Sequence, residues 1–177
     1  NPPRVVASYR YAASRIFFSA KRLGYKELMF QIDPGPAEEN ILLDVERKHP
    51  DLIKQRVVAP KEYWSDWKLQ CELADVIVVS SEWSRTCLIQ AEVAPAKIRI
   101  IPLAFQPEDR VTTRKRSYPD RFSAERPLRV LFLGQVNLRK GMGEVIEAMD
   151  VLRDEPVEFW IAGPETIHVP DKARNNP

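Results

Sequence analysis

The stretch Gly134-Gln135-Val136-Asn137-Leu138-Arg139-Lys140-Gly141 combines more residue types suited to holding an anion than any other part of the chain. It leaves the apolar run VLFLG at 130–134 and enters a pattern with helical spacing. Gly134 permits a tight exit from a strand, and Gly141 lets backbone approach a ligand closely. Arg139 and Lys140 place positive charge at the predicted helix N-terminus, where unpaired N–H groups themselves favour anions. A diphosphate is the natural guest of such a loop, and Lys140 is the residue expected to stabilise charge on it. The competing reading is an ordinary surface loop with two solvated cations. The loop is not a Walker loop, because the spacing G-x-x-x-x-G-K-[ST] is absent.

Two further loops run from an apolar stretch toward a helix. In an open parallel sheet such loops meet where ligands bind, beyond the carboxyl ends of the strands. IDPGPAEEN at 32–40 offers Asp33 directly after a buried run, with Pro34, Gly35 and Pro36 stiffening the turn. Asp33 is a candidate for orienting sugar hydroxyls, with Gly35 beside it, or else is the polar start of a rigid turn. Glu38 and Glu39 read as ordinary acids in a first helical turn. SSEWS at 80–84 offers Ser81, whose hydroxyl is placed to cap the next helix or to touch substrate. Neither Ser80, the other candidate for touching substrate, nor Ser81 lies in G-x-S-x-G, so no hydrolase elbow is implied. His49 and His168 lack metal or triad spacing and read as surface residues. Trp64, Trp67, Trp83 and Trp160 read as packing residues.

The elements that must position these loops alternate strand and helix. Ala13, Ile16, Phe17, Ala20 and Leu23 fall at i, i+3, i+4, i+7 and i+10, which predicts a helix with one apolar stripe. LMFQI at 28–32 reads as a strand, as does the end of one at Val5–Ala7. Helices are predicted from Glu38 to His49, ended by Pro50, and from about Lys61 to Leu73. VIVVS at 76–80 is a continuous apolar run, as expected of a strand covered on both faces. The helix EWSRTCLIQAE and a strand at Ile98–Ile101 follow. VLFLG, then Met142, Val145, Ile146, Met149 and Leu152 at helical spacing, then FWIAG at 159–163, make a β-α-β unit. Alternation of this kind implies an α/β fold with Rossmann-like parallel sheets. The domains expected are 1–105, a partial first α/β domain, 106–127, a linker, and 128–177, the opening of a second.

Composition excludes several classes. With 44% hydrophobic and 29% charged residues the chain is neither disordered nor membrane-spanning by composition. Its first residues hold no signal segment. Cys71 and Cys87 imply no disulfide framework or zinc site, and two buried thiols fit a reducing cytoplasm. Net charge is +2, with the basic segment RVTTRKRSYPDRFSAER at 110–126 the uneven part. Arg110, Arg114, Lys115, Arg116, Arg121 and Arg126 there could meet an anionic membrane surface. No aromatic ladder accompanies them, so nucleic acid is not an expected partner.

ADVIVVSSEWSRTCLIQAEVAPAKIRIIPLAFQP at 74–107 resembles a stretch of the large retaining GT-B glycosyltransferase family. LRVLFLGQVNLRKGMGEVIEAM at 128–149 resembles the start of that family's donor-binding domain. The two occur in the family's order and together cover about a third of the chain. The resemblance implies a partial two-domain GT-B architecture, with an acceptor-side half followed by a donor-side half. It implies transfer, with retention, from a nucleoside diphosphate sugar to a glycan or lipid-linked acceptor, without a metal or cofactor. Bacterial envelope polysaccharides are the expected product class. The location implied is cytoplasmic, or peripheral at the inner membrane face. Lys140 matches the family's diphosphate lysine. Gln135 stands where the family has arginine, and Arg139 is the candidate to compensate. The family's acidic E-x(7)-E segment is expected beyond Pro177, so the 177-residue chain is expected to be inactive alone. The rival readings are a non-catalytic α/β module contacting protein or lipid, and another nucleotide-binding α/β enzyme such as an epimerase.

Overall fold

The computed structural model describes residues 4–56, 58–106, 115 and 117–174. The chain forms two compact units. One comprises Asn1–Ile41 and Val58–Gln106, the other Leu42–Val57 and Pro107–Pro177. The division is discontinuous in sequence, since residues 42–57 belong with the second unit. Of the expected linker at 106–127, residues 107–114 and 116 lie outside the described residues, Arg110, Arg114 and Arg116 among them.

The first unit is a parallel four-stranded sheet in the order β1 (Val5–Tyr9), β2 (Lys26–Phe30), β3 (Val76–Val79), β4 (Ile98–Ile100). Its helices are α1 (Ala13–Arg22), α3 (Lys61–Leu73) and α4 (Glu82–Gln90), and α2 (Pro36–Lys48) begins in it. One core gathers Phe17 of α1, Met29 of β2, Trp67 and Cys71 of α3, Ile77 and Val79 of β3, and Leu88 of α4. The apolar stripe read from α1 splits by depth. Ala13, Phe17 and Ala20 are buried, whereas Ile16 and Leu23 flank the stripe and are exposed. Gly24 ends the helix at φ +71, its N–H bonded to Lys21 O, as a left-handed C-terminal residue does. Both cysteines are buried, and burial pushes the Cys71 thiol up to about 12.

The second unit pairs β5 (Leu128–Leu133) with β6 (Val157–Ala162) in parallel, joined through α5 (Met142–Val151). A short helix α6 (Asp171–Arg174) follows. Val136, Leu138, Met142, Ile146 and Met149 form its core together with Leu52, which comes from the upstream segment. That segment is bound by backbone as well, His168 N donating to Leu52 O at 2.9 Å.

Three sequence expectations are corrected here. VLFLG is not buried on both faces: Phe132 packs inward, but Leu131 and Leu133 are 61% and 78% exposed. Two strands with one crossover helix leave the other sheet face without cover. Trp160 of β6 is correspondingly more than half exposed and lies under the Arg129 guanidinium at 5.3 Å, and Trp83, on α4 of the first unit, is also more than half exposed. His49 is buried, packed where Gly143 of α5 leaves room for its ring.

Candidate functional site

At the carboxyl ends of β5 and β6 the loop 134–141 closes into a defined shape. Gly134 and Gly141 adopt φ +145 and +81, a region that L side chains rarely enter. Gly163, after β6, is at φ +149, and a Cβ there would fall 1.8 Å from Gly134 O. Glycine at this position therefore lets the two strand exits touch. Beyond them pairing resumes, with Val136 N donating to Pro164 O and Thr166 N to Val136 O.

Asn137 organises the rest of the loop. Its side-chain oxygen accepts from Lys140 N at 3.0 Å, capping the single 3-10 turn Leu138–Lys140 that leads into α5. Its amide nitrogen donates to Gln135 Oε1 at 3.2 Å. Gly141 N bonds Leu138 O, and Met142 N bonds Asn137 O. The amides of residues 140–142 are therefore satisfied within the loop. Arg139 and Lys140 are both exposed at this turn. The Lys140 ammonium has no partner among the described residues. A cavity of about 190 Å3 adjoins the loop, lined in part by Asn137, Leu138, Arg139, Thr166 and Ile167. Arg139 lines it, and Lys140 does not.

Asp33 follows β2 at the corresponding edge of the first unit. Its Oδ1 accepts from Gly35 N and from Gln31 Nε2, each at 2.9 Å. Gly35 takes φ +68 under the Trp67 ring, and Trp67 Nε1 in turn donates to Gln31 Oε1 at 3.1 Å. Oδ1 also lies 2.8 Å from Nη1 of Arg10, an ion pair without hydrogen-bond alignment. Arg10 is 5% exposed and sits among Tyr11, Tyr63 and Trp64, its guanidinium 4.4 Å from the Tyr11 ring centre. Nη2 donates to the Tyr11 and Tyr63 hydroxyls. Burial pushes the Tyr63 phenol up to about 12 despite that cation, so it stays a neutral acceptor. Asp33 is thus the acidic centre of a buried cation–aromatic cluster, with Tyr11 Oη donating to Oδ2 at 3.3 Å.

Ser81 is the N-cap of α4. Its hydroxyl accepts from Ser84 N at 3.1 Å and lies 3.0 Å from Ser84 Oγ. Glu39 is no ordinary first-turn acid: it ties Ala59 N at 3.0 Å and Trp64 Nε1 at 2.6 Å. Asp33, Gly35 and Ser81 belong to the first unit, and Gly134, Gln135, Arg139 and Lys140 to the second.

Sequence reasoning missed four contributors. Asn137 carried a signal, an Asn three residues before the turn's end. Arg10 carried a weaker one, a cation directly after a strand. Lys54 and Gln55, which line the same cavity as Arg139, carried none, because they lie some 80 residues upstream. Among the described residues no cluster of His, Cys, Asp and Glu could hold a metal, and no helix is long and apolar enough to cross a membrane. Comparison with protein-family models, with curated proteins and with solved structures gives no match.

Proposed function

We propose that this chain is part of a retaining glycosyltransferase that uses a nucleoside diphosphate sugar, with the donor diphosphate held at residues 134–141. The observation that carries this reading is the loop itself. Two positive-φ glycines bracket a capped turn that presents Arg139 and Lys140 at the carboxyl ends of parallel strands, beside a cavity. As the sugar–phosphate bond breaks, negative charge grows on the departing diphosphate. Fixed cations at that point stabilise the transition state more than the ground state. Lys140 is the residue assigned this task, with Arg139 in support and Gln135 offering only a neutral contact. The first unit supplies the acceptor side, where Asp33 and Gly35 set the loop after β2 and Ser81 that after β3. The acceptor class is a glycan or a lipid-linked saccharide. A peripheral position at the inner face of a membrane fits α1, whose Arg15, Phe18 and Arg22 share an outward face, with Phe18 61% exposed.

Titration of the 177-residue chain with UDP, GDP and ADP, and with their sugars, tests the reading. Saturable binding of a nucleoside diphosphate, weakened by Lys140→Ala, is the expected result. Absence of binding to every nucleotide tested overturns the proposal. A non-catalytic binding module is then favoured, a role suited to the open apolar face of Leu131, Leu133 and Trp160.

A further inference from the structure

The cavity beside the loop 134–141 is walled in part by chain from far upstream, since Lys54 and Gln55 line it together with Asn137 and Arg139. Its position is that of a ligand site: residues 137–139 and 166–167 lie in the loops that leave the carboxyl ends of two parallel strands. Its charge is positive. Lys54 and Arg139 are the lining cations, and the one lining acid, Glu46, already pairs with Arg56 at 2.8 Å. Lys54 also acts on the carboxylate of Glu165, which Arg174 holds at 3.0 Å. The amides of residues 140–142 are bonded within the loop, and the charged donors that line the cavity are the side chains of Lys54 and Arg139. The floor is apolar, formed by Leu42, Ile53, Leu138 and Ile167. A volume of about 190 Å3 is smaller than the ~300–1,000 Å3 that encloses a drug-sized ligand. It suits one ring, with charged groups of the ligand left at the rim.

We propose that this cavity seats the nucleoside end of a nucleoside phosphate, the ring on the apolar floor and the phosphates between Lys54 and Arg139. Lys54 is thereby a phosphate-binding residue supplied by a segment that precedes the whole second β-α-β unit. The inference rests on the reading of residues 134–141 as the donor loop, and adds to it a second, sequence-remote wall. Calorimetric titration of the 177-residue chain at low ionic strength with UDP, GDP, ADP and inorganic pyrophosphate is the test. Wild type is expected to bind a nucleoside diphosphate more tightly than pyrophosphate. Lys54→Ala is expected to weaken that binding about tenfold, Lys54→Arg to restore most of it, and neither to move the unfolding midpoint. Binding unchanged in Lys54→Ala but weakened in Lys140→Ala overturns the role of Lys54 and leaves the donor-loop reading in place. Pyrophosphate binding as tightly as every nucleotide overturns the ring seat. A wild-type chain that binds none of the four overturns both readings together.

Discussion

The His49 ring fills the space that a side chain on Gly143 would need, an added Cβ falling 2.5 Å from Cδ2 and 2.9 Å from Cγ. Contact that close to Cγ involves the whole imidazole, so a simple swing of its far edge cannot relieve it. Glu144 and Glu147 stand on either side, 3.9 Å from Nε2 and 3.8 Å from Nδ1. Glycine at position 143 is therefore what lets the segment carrying His49 seat against the start of α5.

Gly143→Ala sets two effects against each other. Alanine in a helix gains about 1 kcal/mol of intrinsic preference over glycine. Forcing a methyl group into a filled site costs about 1–3 kcal/mol. The overpacking should prevail, because the ring is buried and flanked, so urea unfolding should show a net loss. Gly143→Ala combined with His49→Ala should recover part of it. A single mutant more stable than wild type would mean that the ring moves aside freely.

Asp33 separates a structural role from a catalytic one by its stability signature. Its side chain is 14% exposed beside an Arg10 side chain that is 6% exposed. Removing one partner of a buried pair typically costs about 3–5 kcal/mol, because the other charge is left uncompensated. Asp33→Ala should therefore unfold at markedly lower urea. Asp33→Asn, which keeps an acceptor for Gly35 N, should lose less. An unchanged midpoint in Asp33→Ala would free Asp33 from this cluster and return it to the reacting sugar.

The pH dependence of stability should centre on Glu27 and Asp75, at the opposite end of β2 from the loops. Glu27 is buried, and that burial, with its hydrogen bond to Asp75, raises its pKa above the ordinary 4.5. Asp75 falls from 3.8 to about 2, chiefly through the hydrogen bond from Glu27. A raised acid stabilises fully below its unfolded value and loses that contribution as pH rises through its folded value. A lowered acid stabilises above its unfolded value and loses that contribution as pH falls toward about 2. Stability should thus decline above pH 4.5, and also below 3.8. Glu27→Gln keeps a donor for Asp75 and should flatten the upper decline in urea midpoints. Equal slopes in wild type and Glu27→Gln would assign the decline elsewhere.

Periodicity revealed the elements because it reports which residues face a core. Phe17 and Ala20 of α1, the run at β3 and the stripe Met142, Ile146, Met149 of α5 all behave as their spacing implies. The tight strand exit at Gly134 was legible too, and glycine there takes φ +145. Cover is not a local property, and so the exposed face of Leu131 and Trp160 could not be read from VLFLG and FWIAG. Partners distant in sequence were equally hidden. Nothing in the spacing joins Arg10 to Asp33, Glu39 to Trp64, or Lys54 to Arg139.

The loop 134–141 offers a comparison between a residue that shapes it and a residue that only presents charge. Asn137 holds Lys140 N and Gln135 through its side chain, and loss of such a cap costs about 1 kcal/mol. Lys140 is exposed, with no side-chain partner among the described residues, so its removal should leave stability within about 0.5 kcal/mol of wild type. Diphosphate affinity should respond differently. Lys140→Ala removes one charged contact and should weaken binding about tenfold, an effect that shrinks as salt is added. Asn137→Ala should weaken binding as well, through loss of the turn that aims Arg139 and Lys140, but with a lowered unfolding midpoint. Urea unfolding and diphosphate titration on the same two variants distinguish these cases. If Lys140→Ala binds diphosphate as wild type does at low salt, the charge at this loop is merely solvated and the donor phosphates lie elsewhere.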